Sequence, residues 1–327
     1  MEFLTSHPGK AVWVLGVVLI TLAKLPLVSL YYVFRRPNPN WTIRQALMNK
    51  LMRAFLYHSA VVQAKAPLKL EPGSEGERFV TIPAVQSNHL KGVLDDKKTR
   101  PATTGGTWYP SLPPKGYTGK VILHFHGGGY AIGEGRAADA AYAGKTLTDN
   151  VAPYAIFVQY RLASNNGGRF PAALQDALSS YIVSFPKDTM PRTSPSINLQ
   201  AARDPSVTDY STYYTTDYLI GNFQSWGAKK LTESLELSDR NLRPYIVQLG
   251  HPFRSVSPVW VCVGGLEILG PDGIRIAEEL REHGNVVETH TISGAPHDVM
   301  FVGNIMGFEN KAVDATKVAR HFIEKTA

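Results

Sequence analysis

Three groups of residues in this 327-residue chain have the types and spacing for acyl chemistry. The first is His124-Phe125-His126-Gly127-Gly128-Gly129-Tyr130, which closes the apolar run Val121-Ile122-Leu123. Consecutive glycines after a strand let backbone N–H groups converge on a developing negative oxygen with no side chain in the way. His126, Gly127, Gly128 and Gly129 are therefore the candidate oxyanion-binding residues. A phosphate loop is disfavoured, because neither Gly-Lys-Ser/Thr nor Gly-x-Gly-x-x-Gly follows. The second group is Gly264-Gly265-Leu266-Glu267-Ile268-Leu269, directly after the apolar run Val259 to Val263. At the C-terminal end of a parallel strand, the Glu267 carboxylate can hold a histidine in one tautomer and stabilise its cation. The third is Gly294-Ala295-Pro296-His297-Asp298, which brings a histidine 30 residues after that acid. One helix and one strand fill the interval, so Glu267 and His297 emerge at neighbouring strand ends. Of the ten histidines, only His297 stands in this context.

A nucleophile is missing from the set. Acyl transfer of this kind takes a serine on a strained strand-to-helix turn, Gly-x-Ser-x-Gly, and no serine in the chain has that pattern. Ser179, Ser180 and Ser184 fall in a helical pattern, Ser225 in Phe223-Gln224-Ser225-Trp226-Gly227 lacks the first glycine, and Ser293 is on the histidine loop itself. None is on a turn where a base would activate it.

The elements that must carry these groups alternate. Val121 to Phe125 is predicted as a buried strand, Arg136 to Thr148 as a helix, Tyr154 to Tyr160 as a strand, and Pro171 to Phe185 as a helix with proline at its first position. Alternation with crossover helices implies a parallel sheet. Beyond Phe185 the pattern stops, because the segment from Pro186 to Pro195 holds three prolines and no apolar run long enough for an interior strand. It resumes with a helix over Thr216 to Ser234, interrupted at Gly221, and a strand over Val259 to Val263. A helix over Gly273 to His283, a strand over Val286 to Ile292 and a terminal helix over Asn310 to Glu324 complete it. Before the first strand, Thr42 to Val62 reads as an amphipathic helix. Pro- and Gly-rich stretches near Pro72-Gly73 and Ser111 to Pro114 divide the chain into short extended pieces.

Composition is ordinary for a globular chain, at 44% hydrophobic and 19% charged residues. The single Cys262 lies in an apolar run, reads as a buried small hydrophobe and permits no intramolecular disulfide. Of the net charge of +7, residues 1–120 contribute 16 Lys+Arg against 6 Asp+Glu. Basic charge beside a hydrophobic segment suits an anionic membrane surface, and no nucleic-acid-binding signature accompanies it. Ala11 to Phe34 is long enough to cross a hydrocarbon layer of about 30 Å. Lys24 and Pro26 count against a spanning helix, but no small-x-small cleavage site follows, so a retained anchor is expected over a cleaved signal or a surface-lying helix. Arg35, Arg36, Arg44, Lys50 and Arg53 after the segment favour a cytoplasmic domain, whereas the sequon Asn40-Trp41-Thr42 works only on the lumenal side.

Together the motifs resemble the hormone-sensitive-lipase-like branch of the α/β-hydrolases, most closely its membrane-anchored esterases of the steryl acetyl hydrolase type. The resemblance rests on His124 to Gly129, Tyr160-Arg161-Leu162-Ala163, Phe170-Pro171-Ala172-Ala173-Leu174-Gln175-Asp176-Ala177, Gly264 to Glu267 and Pro296-His297-Asp298. It implies an α/β fold with a mostly parallel sheet and helices on both faces, and a serine hydrolase acting on short-acyl esters of hydrophobic alcohols. Glu267 falls where the family has its acid, His297 where it has its base, and Gly128 and Gly129 where it has oxyanion donors. No metal or organic cofactor is implied, and the expected partners are a small hydrophobic ester and membrane lipid, with no nucleic acid. The expected organisation is an anchor over 1–36, with endoplasmic reticulum the expected membrane, and a hydrolase domain over 37–327 with cap elements at 37–70 and 200–250.

This chain departs from the family at 186–195. There a strand, a Gly-Asp-Ser-Ala-Gly-Gly elbow, a helix and a second strand are expected, about 40 residues on average lengths. Tyr181 to Phe185 instead runs almost at once into Ser194-Pro195-Ser196, which resembles the far side of that unit. The lost strand would be central. Its neighbours must then re-pair across the gap, or the core is left open.

Overall fold

The computed structural model describes residues 2–184, 211–233, 235, 239 and 241–326. Helix α1 (Gly9–Phe34) is, among the described residues, the one helix long and apolar enough to cross a membrane. Val12, Leu15, Leu19, Leu22 and Leu27 are open on its outside, and only Gly9 and Tyr32 are buried. Helix α2 (Ile43–Val61) begins in a reciprocal cap. Gln45 N–H donates to the Thr42 hydroxyl at 3.2 Å, and Thr42 N–H donates to the Gln45 side chain at 2.8 Å. The two helices pack together, and the Trp13 and His58 rings meet edge-on at 5.7 Å.

Strands β1 (Phe79–Ile82), β2 (Thr104–Tyr109), β3 (Val121–Phe125) and β4 (Tyr154–Gln159) form one sheet in the order β1-β2-β4-β3. β3 and β4 pair in parallel; the other two pairings are antiparallel. Sequence patterning located β3 and β4 to within a residue but assigned no strand to Thr104–Tyr109. The reason is Gly105-Gly106, which reads as a turn and here admits close neighbours. A Cβ on Gly105 would meet the Phe79 ring at 2.3 Å, and one on Gly106 would meet Ile156 at 2.9 Å. Helices α3 (Ala137–Asn150) and α4 (Ala172–Ser184) follow β3 and β4 as the alternation predicts.

Helix α5 (Gly221–Thr232) is shorter than its pattern. Thr216 to Ile220 stays out of the helix because the Asp217 carboxylate accepts from Leu219 N–H at 3.3 Å, a local bond that competes with helical pairing. Strands β5 (Val259–Gly264) and β6 (Val287–Ile292) pair in parallel around helix α6 (Gly270–Glu282) as a separate two-stranded sheet. Helix α7 (Val299–Met306) was not foreseen; Val-Met-Phe-Val-Gly-Asn-Ile-Met is apolar on nearly every side and has no readable period. Helix α8 (Glu309–Thr326) closes the chain.

Among the described residues no strand stands between β3 and β5, and these two flanking strands do not re-pair. Helices join the halves instead. α7 packs on α3 and α8, and α8 packs on β5 and β6. From α7 the Phe301 ring lies parallel to the His124 ring of β3, at 6.1 Å and 5°. The expected break at 186–195 falls outside the described residues, as do residues 200–210, 234, 236–238 and 240 of the expected cap at 200–250. Cys262 is only half-buried, packing against the core of the β5–β6 half, and burial pushes its thiol up to about 12.

Candidate active site

The glycine loop leaves the C-terminal end of β3. Gly128, Gly129 and Tyr130 all have positive φ (106°, 60° and 58°), so the chain curls tightly enough for the Gly128 carbonyl to accept from Ala131 and Ile132 N–H. Gly128 admits no side chain, since a Cβ there would stand 2.2 Å from the Ile132 carbonyl oxygen. No described residue accepts from the N–H groups of Gly127, Gly128 or Gly129. These amides thus remain available to an incoming oxygen. Helix α5 backs the loop: Phe223 faces Gly129, and a Cβ on Gly227 would meet the Gly129 carbonyl at 2.5 Å.

His126 lies under the loop rather than over it. Its ring is buried and stacks on Tyr160 at 4.3 Å and 13°, while Tyr160 Oη donates to the His126 carbonyl at 2.7 Å. The ring nitrogen Nδ1 lies 2.7 Å from the Gly127 carbonyl. Burial, partly offset by that bond, pushes the imidazole down to about 4, so the ring is neutral at neutral pH. The side chain holds the shape of the loop.

Glu267 and His297 come together as their spacing predicts. Glu267 Oε2 accepts from Gly264 N–H at 2.8 Å and stands 3.5 Å from His297 Nδ1. That is an ion-pair distance, longer than a good hydrogen bond. Gly264 and Gly265 let the two loops touch: a Cβ on Gly264 would meet the Pro296 carbonyl at 2.3 Å, and Leu266 N–H donates to the Ala295 carbonyl at 2.9 Å.

Two further carboxylates stand at this point: Asp217, which the sequence reading missed, and Asp298, which it placed in the histidine motif without a role. Asp217 is fully buried, and its oxygens accept from Ile268 N–H at 2.7 Å and His297 N–H at 3.3 Å, clamping the acid loop to the histidine loop. Its segment, Tyr-Thr-Thr-Asp-Tyr, carries no motif that would mark it. Asp298 has a left-handed backbone, and burial, against the pull of His297, raises its carboxyl to about 6. Burial opposes a charge on His297, but Glu267, then Asp217 and Asp298, outweigh it and raise the imidazole to about 9. The surrounding carboxylates thus favour the protonated imidazole, the form His297 takes when it has accepted a proton.

The glycine loop and the histidine loop face each other across the seam between β3 and β5. A Cβ on Gly127 would stand 3.4 Å from Asp298 Oδ2. No hydroxyl completes the set from the helical serines. Ser179 and Ser180 donate to the Gln175 and Asp176 carbonyls within α4. Ser225 is two residues from both Phe223 and Gly227, which face the glycine loop, so helical spacing turns it away. Among the described residues no group of three His, Cys, Asp or Glu is arranged to hold a metal.

The model of a family described as alpha/beta hydrolase fold matches residues 122–189 and 189–301. The two stretches meet at residue 189, inside the 186–195 break. No curated protein matches the chain. Solved esterases share the fold at low identity. A thermostable esterase from Pseudomonas putida ECU1011 is 14% identical, covering 90% of this chain and 95% of its own, with a TM-score of 0.53. An esterase from the bacterial hormone-sensitive lipase family is 14% identical over 86% and 98%, with a TM-score of 0.54. A double mutant of the esterase rPPE is 13% identical over 88% and 97%, with a TM-score of 0.57.

Proposed function

The chain belongs to the α/β-hydrolase fold family, of the hormone-sensitive-lipase-like kind, and we propose that its site is the oxyanion, acid and base portion of a serine ester hydrolase. In the complete form a serine hydroxyl attacks the acyl carbonyl, and His297 takes its proton and returns it to the leaving alcohol. Glu267 orients His297, and the N–H groups of Gly127 to Gly129 bind the oxyanion. Substrates are acetyl or other short-acyl esters of hydrophobic alcohols, sterols or secondary metabolites. α1 serves as anchor, and residues 37–70 and 200–250 as cap. The observation that carries the reading is the approach of Gly127 to the histidine loop across the seam between β3 and β5, where one more parallel strand would bring a nucleophile between them.

With no elbow serine in its sequence, this chain should hydrolyse p-nitrophenyl acetate no faster than its His297→Ala variant and should not react with a fluorophosphonate probe. An elbow segment inserted between Phe185 and Ser194 raises the rate on the order of 10⁴-fold or more and brings labelling that His297→Ala then removes. Labelling of the unmodified chain at one serine, abolished by unfolding, would overturn the proposal and make that serine the nucleophile.

One observation favours a second reading, a binding or regulatory module that keeps the pocket: no serine in the sequence stands in a Gly-x-Ser-x-Gly turn. The genomic segment between the codons for Phe185 and Ser194 separates the two. An in-frame coding segment for strand, elbow and helix supports a shortened transcript of an active enzyme. No such segment supports the module.

A further inference from the structure

A cavity of about 1380 Å³ opens between the last turn of α1, the middle of α2 and the start of α5. Arg35, Arg36, Lys50 and Arg53 stand in its wall, and among the described residues no Asp or Glu does. Arg53 is fixed at the back. It donates to the carbonyls of Tyr214 and Asp217, and its guanidinium lies 4.3 Å over the Tyr214 ring. Arg36 donates to the Trp41 carbonyl at 2.9 Å. The side chains of Arg35 and Lys50 are exposed, and no described residue pairs with them. Four gathered cations with no counter-charge among the described residues repel one another until an anion joins them.

Two more features set the character of that anion. The N-terminal turn of α5, Gly221 and Asn222, faces the cavity, and Ile220 before it supplies no side-chain cap. The helix start therefore adds unpaired N–H groups and positive potential to the same wall. The rim is apolar: Tyr31 and Phe34 line it, and the exposed leucines and valines of α1 continue from it. The volume exceeds the several hundred Å³ that suit a single small molecule. A free anion would satisfy the cations and leave this apolar approach empty, whereas an amphiphile fills both.

We propose that this cavity binds an anionic glycerophospholipid, its phosphate among Arg35, Arg36, Lys50 and Arg53 and its acyl chains along the open face of α1. The site is independent of the ester-hydrolase reading, since none of its residues takes part in that chemistry. Bound there, the lipid would stand one residue from the site, because Arg53 holds the backbone of Asp217, whose carboxylate clamps the histidine loop.

The test uses the full-length chain in non-ionic detergent, with phosphatidylglycerol and phosphatidylcholine of equal chain length competing in native mass spectrometry. Phosphatidylglycerol should be retained preferentially. The Arg35→Gln/Lys50→Gln double variant should reduce that preference about ten- to thirtyfold. Lys97→Gln/Lys98→Gln, with the same charge change on an exposed loop, should leave it intact. Equal retention of both lipids, or equal loss in both double variants, would overturn the proposal. So would full competition by glycerol 3-phosphate, which would make the cavity a site for free phosphate esters. Labelling by fluorophosphonate has no bearing on any of these outcomes.

Discussion

Strands β3 and β4 are parallel neighbours of similar character, Val-Ile-Leu-His-Phe beside Tyr-Ala-Ile-Phe-Val-Gln, yet they differ sharply in burial. Every residue of β3 is only half-buried, whereas Ala155, Ile156, Phe157 and Val158 of β4 are at most 2% exposed. Among the described residues β4 has a strand on each side and β3 has one. β5, across the seam, repeats the β3 pattern: Val259 to Cys262 are half-buried, although a buried strand is what their composition predicts. Burial in a sheet is thus set by neighbours as much as by the strand's own side chains. The candidate catalytic groups lie on both banks of the seam, so the least finished part of the described core is also where the proposed chemistry would stand.

The sharpest test of this contrast removes a partner on the finished side. Asp176, fully buried on α4, accepts from Arg161 Nη2 at 2.7 Å and from the Arg161 backbone N–H at 2.8 Å. Burial, against the pull of Arg161, holds its carboxyl above the usual range, so the aspartate depends on this one arginine. Asp176→Ala leaves the Arg161 cation without its counter-charge and should cost about 3–5 kcal/mol, read from a denaturant midpoint. A loss under about 1 kcal/mol would show that the four-stranded half is no better consolidated than the seam.

Across the seam a large side chain should matter less. Phe301→Ala removes the ring that lies on His124, but Phe301 is only half-buried, so a loss of about 1–3 kcal/mol is expected. Hydrogen exchange should show the loss concentrated in β3 and β5, with β4 amides unchanged. Uniform loss across the six described strands would mean that the halves already unfold as one unit.

What was legible in the sequence follows the same divide. His124 to Gly129, Glu267 and His297 were readable because each follows an apolar run at a strand end, and strand ends are where an α/β sheet presents its chemistry. The departure at 186–195 rests on the sequence alone, where the helical pattern through Phe185 is followed by three prolines, and it lies outside the described residues. Asp217 was not readable, since its role comes from a contact between residues 80 apart with no local pattern. Nor was the protonation of His297 readable, because it depends on three carboxylates that only the folded chain assembles.

That protonation gives the subtlest prediction. Burial disfavours the His297 cation, yet Glu267 and its neighbours raise the imidazole from 6.5 to about 9. Between those values the folded chain keeps a proton that the unfolded chain has released, so the stability from this group is complete below pH 6.5 and is lost as pH rises through about 9. Asp298 acts in the same sense at lower pH. Its folded carboxyl titrates near 6 and its unfolded one near 3.8, so stability falls between those values as well. The His297 ring proton, followed by NMR, should titrate with a midpoint near pH 9. Glu267→Gln should bring that midpoint down by about 1–2 pH units and flatten the loss of stability between pH 6.5 and 9. An unmoved midpoint would transfer the role to Asp217 and Asp298, and with it the orientation of His297, leaving Glu267 as a brace for the Gly264 turn.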